Sequence, residues 1–397
     1  MLYQNYDIKN NMKAKLCIVT TIESTQESFV IPAMRLFVQK GYDVTLICTM
    51  SEKFIKRYQN EFHLINVKMN RGISIKDMLT KPFEFYKIFK REKFDYVQYA
   101  TTNAAWYASI AAKMAGVPIR VNCLWGLLYT ASKGWKRKLY WFAEKYPCCF
   151  SNFFTVASKK NMEIAIADGL CKRNRVSVIG DGGTIGVDLN VFDYNKRDGY
   201  KQQLLEKYPI LKDKMVYGYL GRIDVDKGVN ELLKAFLAMN NPQTALMLIG
   251  SFDYVRSGLD DKLLQKAKAS NNVVFTGFTR EVALHLSVVD VLVHPTYREG
   301  FSMVIQQAMA MGCGIITTDI PGPSEVIVEN KSGLLVPVKD PVSLQQAMKL
   351  LNEDASLREQ FVQAGLKRVE EKFRRERMLE LTFDNRCQMM KEAGVIK

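Results

Sequence analysis

The sequence predicts an α/β protein of two Rossmann-like, doubly wound domains that face a central cleft, followed by a helical C-terminal tail. Three observations predict it. Short β-rich apolar runs alternate with longer stretches of helical spacing; one aperiodic, glycine-rich segment interrupts the alternation; and the last stretch keeps helical spacing with no strand signal. The length of 397 residues is too great for one core, and 48% hydrophobic with 24% charged side chains is a globular mixture.

In the first half, strands are expected at 16–20, 44–48, 64–67, 96–99, 119–124, 153–157 and 176–179, where runs such as LCIVT and VTLIC are apolar without alternation. Such runs suit strands buried on both faces of a parallel sheet. Apolar residues at helical spacing predict helices near 27–40, 74–93, 103–115, 134–147 and 159–168. The segment IGDGGTIGVDLNVFDYNKRDG (179–199) is rich in Gly and Asx and has no periodicity, as a linker between two cores would. Strands then resume at 216–220, 245–249, 273–276, 289–293, 315–317 and 334–336, with helices near 229–239, 258–268, 280–287, 302–311 and 342–352. The charged stretch 355–393 reads as helix. The expected units are an N-terminal domain (1–195), a C-terminal ligand-binding domain (196–372) and a final helix (373–397). In such folds ligands bind beyond the carboxyl ends of the strands, so both sheets would offer walls to one cleft.

Charge is uneven. The chain carries 56 Lys and Arg against 41 Asp and Glu, a net +15; residues 1–195 hold 28 basic and 16 acidic side chains, +12 of that excess. A polyanionic partner of the first half is implied: nucleic acid, an anionic membrane or a phosphorylated substrate. The eight cysteines show no CxxC spacing, which fits reduced thiols in the cytosol, and the first residues carry no apolar leader pattern. No apolar run reaches the 18 or more residues of a spanning helix.

Two constellations carry chemistry. LGRIDVDKG (220–228) lies between a strand and a helix, where Gly221 allows close backbone approach and Arg222 and Lys227 suit a diphosphate. The competing reading is a solvated loop with a surface ion pair. HPTYREGFSMVIQQAMAMG (294–312) repeats the strand, loop, helix order. Glu299, Gly300, Phe301 and Ser302 fall at the junction, where backbone N–H groups receive phosphate oxygens and an acceptor-only carboxylate holds sugar hydroxyls; Met303 and Gln307 share the next helical face. The glycine-rich GDGGTIG (180–186) lacks G-x-G-x-x-G spacing and leads into no apolar helix, which argues against a dinucleotide site.

In this order, GRxxxxKG about 70 residues ahead of REGF, then ITTDIPGPSEVI and KSGLLVPVKDP, the motifs resemble the donor half of the family 4 retaining glycosyltransferases of the GT-B fold, over roughly residues 215–345. The first half is similar more weakly, through VTTIESTQESF and DYVQYATTNAAWYASIAAKMAGVPIRV. The likeness is to bacterial members that build capsule, exopolysaccharide or O-antigen units, and it implies that the N-terminal domain is the acceptor side and that the final helix crosses back to it. It implies transfer of a hexose or N-acetylhexosamine from a nucleotide-diphosphate sugar, a UDP-sugar foremost, to a polyprenyl-diphosphate-linked glycan, with retention and with no cofactor or metal. Glu299 matches the first Glu of the family's E-x7-E motif and is the expected catalytic residue. Arg222 and Lys227 match its diphosphate binders, Gly300, Phe301 and Ser302 the turn whose backbone meets sugar and phosphate, and Gly277 and Phe278 the loop that reads the base. Two positions depart from the pattern: Gln307 replaces the second Glu, and Leu124-Trp125-Gly126 stands where many members carry a cleft His. Asp224 and Asp226 resemble the metal-binding DxD of other sugar transferases, or simply offset the neighbouring cations. His294 precedes the REGF loop closely enough to line the cleft.

The stretch KGWKRKLYWFAEKYP (133–147) places Trp135, Leu139 and Phe142 on one helical face beside Lys133, Lys136, Arg137 and Lys138, which fits an anionic membrane surface as well as it fits ordinary packing on a sheet. A lipid-diphosphate acceptor would demand such a surface, and the absence of a recognised nucleic-acid module argues against nucleic acid. The expected location is cytoplasmic and peripheral, at the inner face of the plasma membrane. A nucleotide-sugar epimerase and a non-catalytic nucleotide-sugar-binding protein on the same fold are the alternatives.

Overall fold

The computed structural model describes residues 14–70, 72, 74–252 and 258–397; the polar stretch 1–13 lies outside them. The chain begins β1 (Lys15–Ile22), α1 (Glu23–Phe29), α2 (Ile31–Gln39), β2 (Asp43–Thr49), α3 (Glu52–Tyr58), β3 (His63–Asn66) and α4 (Ile75–Glu92). It continues with β4 (Tyr96–Ala100), α5 (Thr102–Ala115), β5 (Ile119–Leu124), α6 (Gly134–Cys148), β6 (Phe153–Val156), α7 (Lys159–Ala167) and β7 (Val176–Val178). After the linker come α8 (Arg197–Lys207), β8 (Met215–Leu220), α9 (Val229–Met239), β9 (Thr244–Ile249), α10 (Asp261–Ala269), β10 (Val273–Gly277), α11 (Val282–Leu286) and β11 (Val291–His294). The last elements are α12 (Met303–Ala310), β12 (Gly314–Thr318), α13 (Pro323–Val326), β13 (Leu334–Val336), α14 (Pro341–Glu353), α15 (Ala355–Arg368) and α16 (Arg375–Glu392).

Each strand expected from the sequence is present, with ends within two residues of the expected ones. The strands form two sheets, ordered β3-β2-β1-β4-β5-β6-β7 and β10-β9-β8-β11-β12-β13. Every ladder is parallel, which is why the strands read as unbroken apolar runs: both faces are covered by helices. The order reverses between β1 and β4 in the first sheet and between β8 and β11 in the second, and ligand crevices form at such switch points.

The helices differ in detail. The stretch expected as one helix near 27–40 is two, α1 and α2, because Pro32 in the first turn of α2 has no N–H to continue α1. The short helices α3 and α8 were not expected. α3 buries Phe54 and Tyr58 fully, with Ile55 packed beside them, and α8 buries only Leu204 fully, with Tyr200 and Leu205 packed beside it. The tail is helical as expected. α16 returns to the first sheet's core, where Met389 and Met390 are buried with Leu16, Phe37 and Tyr96. The outgoing linker and the returning chain run side by side: Val187 N–H donates to Phe373 O at 2.7 Å, and Arg375 pairs with Asp188 at 2.8 Å.

Candidate active site

The loops after β8 and β11, the two strands at the second switch point, build one wall. Gly228 ends the first loop at φ +71°, and a Cβ there would stand 2.0 Å from the carbonyl oxygen of Pro295, so only glycine lets the loops close on each other. They are joined by Tyr297 N–H, which donates to Asp226 O at 2.9 Å. This approach brings Lys227 Nζ to 2.7 Å from Glu299 Oε2. Behind the carboxylate sits His294, buried, with Nε2 at 3.8 Å from Glu299 Oε2 and 3.3 Å from Ser302 Oγ. Burial alone would push the Glu299 carboxyl up; Lys227 and His294 overcome it and hold the group well below the usual carboxylate range. Burial lowers the affinity of His294 for a proton, although Glu299 opposes that shift. Arg222 leans on the buried Asp224 at 2.8 Å, and the same carboxylate caps Lys227 N–H at 3.0 Å.

The opposite wall comes from the first sheet. A Cβ on Gly300 would lie 1.6 Å from the carbonyl oxygen of Trp125, so the loop after β5 rests directly on the loop after β11. Asn161 Nδ2 donates across the same junction to Gly300 O at 3.1 Å. Between the walls lies a cavity of about 300 Å³ lined by Thr101, Trp125, Glu144, Arg222, Lys227 and Glu299, among others. A second hollow, about 420 Å³, shares Arg298 and Glu299 with it. Two cations at strand ends and one carboxylate beside backbone donors are the parts needed to hold a diphosphate next to a hydroxyl-bearing ring.

Residues 201–368 match the family model described as Glycosyl transferases group 1, and residues 15–159 the one described as Glycosyl transferase 4-like. The capsular polysaccharide biosynthesis glycosyltransferase CapM of Staphylococcus aureus is 30% identical over 351 residues, 86% of this chain and 90% of that protein. The chain belongs to the family 4 glycosyltransferases. A UDP-Gal:alpha-D-GlcNAc-diphosphoundecaprenol alpha-1,3-galactosyltransferase of Escherichia coli is 25% identical, covering 81% of this chain and 83% of its own. Among solved structures, Anabaena Alr3699/HepE in complex with UDP superposes with a TM-score of 0.77 at 17% identity over 94% of this chain and all of that one, which establishes the GT-B fold.

Within this glycosyltransferase the expected site residues fall in four groups. Arg222, Lys227, Glu299 and Gly300 line the cavity, and Gly221 lies behind them, its N–H donating to Ile249 O at 3.0 Å. Ser302 caps α12, accepting from Ile305 N–H at 3.3 Å, while half-buried Gln307 stands one turn further along that helix. The Phe301 ring is occupied in packing: a Cβ on Gly182 would meet it at 2.3 Å, and Phe373 lies 5.5 Å away, so that only its backbone can face a ligand. Gly277 and the exposed Phe278 stand at the end of β10, where Gly250 N–H reaches Gly277 O at 3.0 Å. Lys133 at the N-cap and Lys136, Arg137 and Lys138 in the first turns of α6 are all exposed, and Arg137 also pairs with Asp168 at 3.3 Å over the Tyr129 ring.

Asp224 and Asp226 point at different cations, Asp226 lying 3.9 Å from Arg298. His294, expected to line the cleft, is instead buried behind it at the end of β11, against Glu299 and Ser302. Sequence reasoning missed Arg298, Asn161 and Glu144. Arg298 stood in plain view inside YREGF, whereas Asn161 and Glu144 reach the site only through the fold.

Proposed function

We propose that the chain transfers a hexose or N-acetylhexosamine from a UDP-sugar to a polyprenyl-diphosphate-linked glycan, with retention and without a resident metal, in the synthesis of bacterial surface polysaccharide. The observation that carries this reading is the Lys227–Glu299 pair with Arg222, held at the switch-point end of the second sheet and facing the first across one cavity. Arg222 and Lys227 would neutralise the departing diphosphate, the role a metal plays elsewhere. Glu299 and the backbone of Gly300 to Ser302 would hold the donor sugar. The bond from the anomeric carbon to the phosphate oxygen breaks as the acceptor hydroxyl attacks from the same face; the hydroxyl proton passes to the departing phosphate oxygen. Polymer synthesis and a lipid diphosphate acceptor are supported by the names of the Staphylococcus and Escherichia relatives, and UDP by the Anabaena complex.

Work at the cytoplasmic membrane surface fits the exposed faces of two helices. Trp135, Leu139 and Phe142 on α6 are exposed, and so are Ile75, Leu79 and Phe83, which follow at i, i+4 and i+8 on α4. Both helices pack on α5 and carry lysines beside these stripes. No helix among the described residues is long and apolar enough to cross a membrane. The test is transfer itself: purified chain, a panel of UDP-, GDP- and dTDP-sugars, short-chain polyprenyl-diphosphate sugars as acceptors, and the product's anomeric configuration by NMR, with and without EDTA. Donor binding with no transfer and no donor hydrolysis across the panel would leave a nucleotide-sugar-binding protein instead.

A further inference from the structure

One carboxyl in the cleft has no task in the chemistry above. Glu144 is 8% exposed on α6 and lines the same cavity as Lys227 and Glu299. Its Oε1 accepts the Leu128 N–H at 2.5 Å, but its Oε2, also buried, has no hydrogen-bond partner. The other carboxylates on that cavity are matched, Glu299 by Lys227 and Asp226 by Arg298. An apolar side chain would be the cheaper occupant of such a position, because a buried carboxyl with one oxygen unsatisfied costs free energy that packing does not return. Pinning Leu128 needs one oxygen only, so the second is left for something that enters the cavity.

We propose that Glu144 is an acceptor-binding residue: its Oε2 accepts a hydrogen bond from a hydroxyl of the acceptor sugar, orienting that sugar from the first domain's wall toward the donor held by Lys227 and Glu299. The assignment rests on the transferase reading. Burial pushes the Glu144 carboxyl up to about 7, with the Leu128 N–H and the Arg298 guanidinium restraining the shift. The groups facing it are Arg298 from the loop after β11, Tyr129 from the turn that Leu128 opens, and Cys148 on its own helix. The ionised form is the better acceptor for a hydroxyl, so acceptor capture strengthens as pH rises through 7.

The experiment compares wild type, Glu144→Gln and Glu144→Ala with a saturating UDP-sugar and a series of short-chain polyprenyl-diphosphate-linked N-acetylhexosamines. Both variants are expected to raise the acceptor KM about tenfold or more, with the donor KM and the acceptor-free hydrolysis of the donor within about twofold of wild type. The wild-type rise in acceptor kcat/KM through pH 7 should flatten in Glu144→Gln. An unchanged acceptor KM in Glu144→Gln, or a donor KM that rises in step with it, overturns the assignment. Should Glu144→Ala fail to fold, Glu144→Gln decides alone, since its amide oxygen keeps the Leu128 bond. Failure of the wild type to transfer to any acceptor would instead overturn the transferase reading on which this rests.

Discussion

At the scale of single residues, the site is organised by charges whose surroundings set their protonation. Lys227→Ala removes a cation from the developing diphosphate charge and should cost about 10²–10³ in kcat, as removal of one charge-stabilising donor does elsewhere, while circular dichroism stays that of wild type. Glu299→Ala is expected to lose transfer likewise; a wild-type rate in either variant would remove that residue from the machinery. The two acidic groups make opposite predictions for stability. Glu299 has its carboxyl depressed in the fold, so its contribution is present above the ordinary carboxylate range and is lost as pH falls toward its folded value; Glu299→Gln should flatten the loss of Tm below pH 4.5. Glu144 is raised, so its stability contribution is full below its ordinary pKa of 4.5 and is lost as pH climbs to about 7. Glu144→Gln should therefore have a Tm above wild type at pH 8 and close to it at pH 4.5, the gain amounting to about 1–3 kcal/mol. Equal Tm values at pH 8 would show that the buried carboxyl is not strained. Arg222, Lys227, Glu299 and Gly300 were legible in sequence because each sits in a short loop between a strand and a helix. Glu144 was not: its helix shows a basic, aromatic outer face, and nothing local says that the one acidic residue among those lysines points inward.

Elements were easier to read than their contacts. Parallel strands covered on both faces leave an apolar signature that survives in the bare sequence, and all thirteen appear in the two sheets. The short α3 and α8 left none, since two turns or three with one or two fully buried residues are too short for a helical period to show. For α6 the sequence showed both the apolar stripe and the basic rim; the structure adds a second exposed apolar stripe on α4 and pairs Arg137, still exposed, with Asp168. Replacing Lys133, Lys136 and Lys138 together by Gln should weaken binding to vesicles containing anionic lipid by up to about 3 kcal/mol, at roughly 1 kcal/mol for each charge near the surface. Arg137→Gln should do less to binding and more to stability, because its guanidinium spans a fold contact. Sedimentation with vesicles at low and high salt separates the two, and UDP binding should be unchanged in all. Equal vesicle binding by wild type and the triple variant would detach the first half's charge from membranes.

The whole molecule is tied together by a helix that follows the second sheet in the chain but packs on the first. Phe383 of α16 lies 4.8 Å from Phe37 of α2, Met389 and Met390 complete the first core, and Arg386 is 5% exposed with Nε 3.0 Å from Gln98 Oε1. Gln98 also accepts the Tyr96 hydroxyl at 2.8 Å, so this buried amide on β4 serves as the anchor for the returning chain. The first sheet's core is therefore not closed by the residues that precede the linker. Removing one partner of a buried, hydrogen-bonded charge leaves the other groups unsatisfied, and Met390→Ala opens a cavity; each should cost about 2–5 kcal/mol. In Arg386→Ala or Met390→Ala, the first domain is expected to unfold at a lower temperature than the second, splitting a single calorimetric transition into two. UDP should raise only the upper transition, since Arg222, Lys227 and Glu299 belong to the second sheet's loops. A single transition in both variants, displaced as a whole, would show that the two sheets unfold as one body whatever α16 does. If the lower transition carries the loss of acceptor affinity while UDP still binds, then the return of the last helix is what holds the acceptor wall, with Trp125 and Glu144 on it, in place against the donor site.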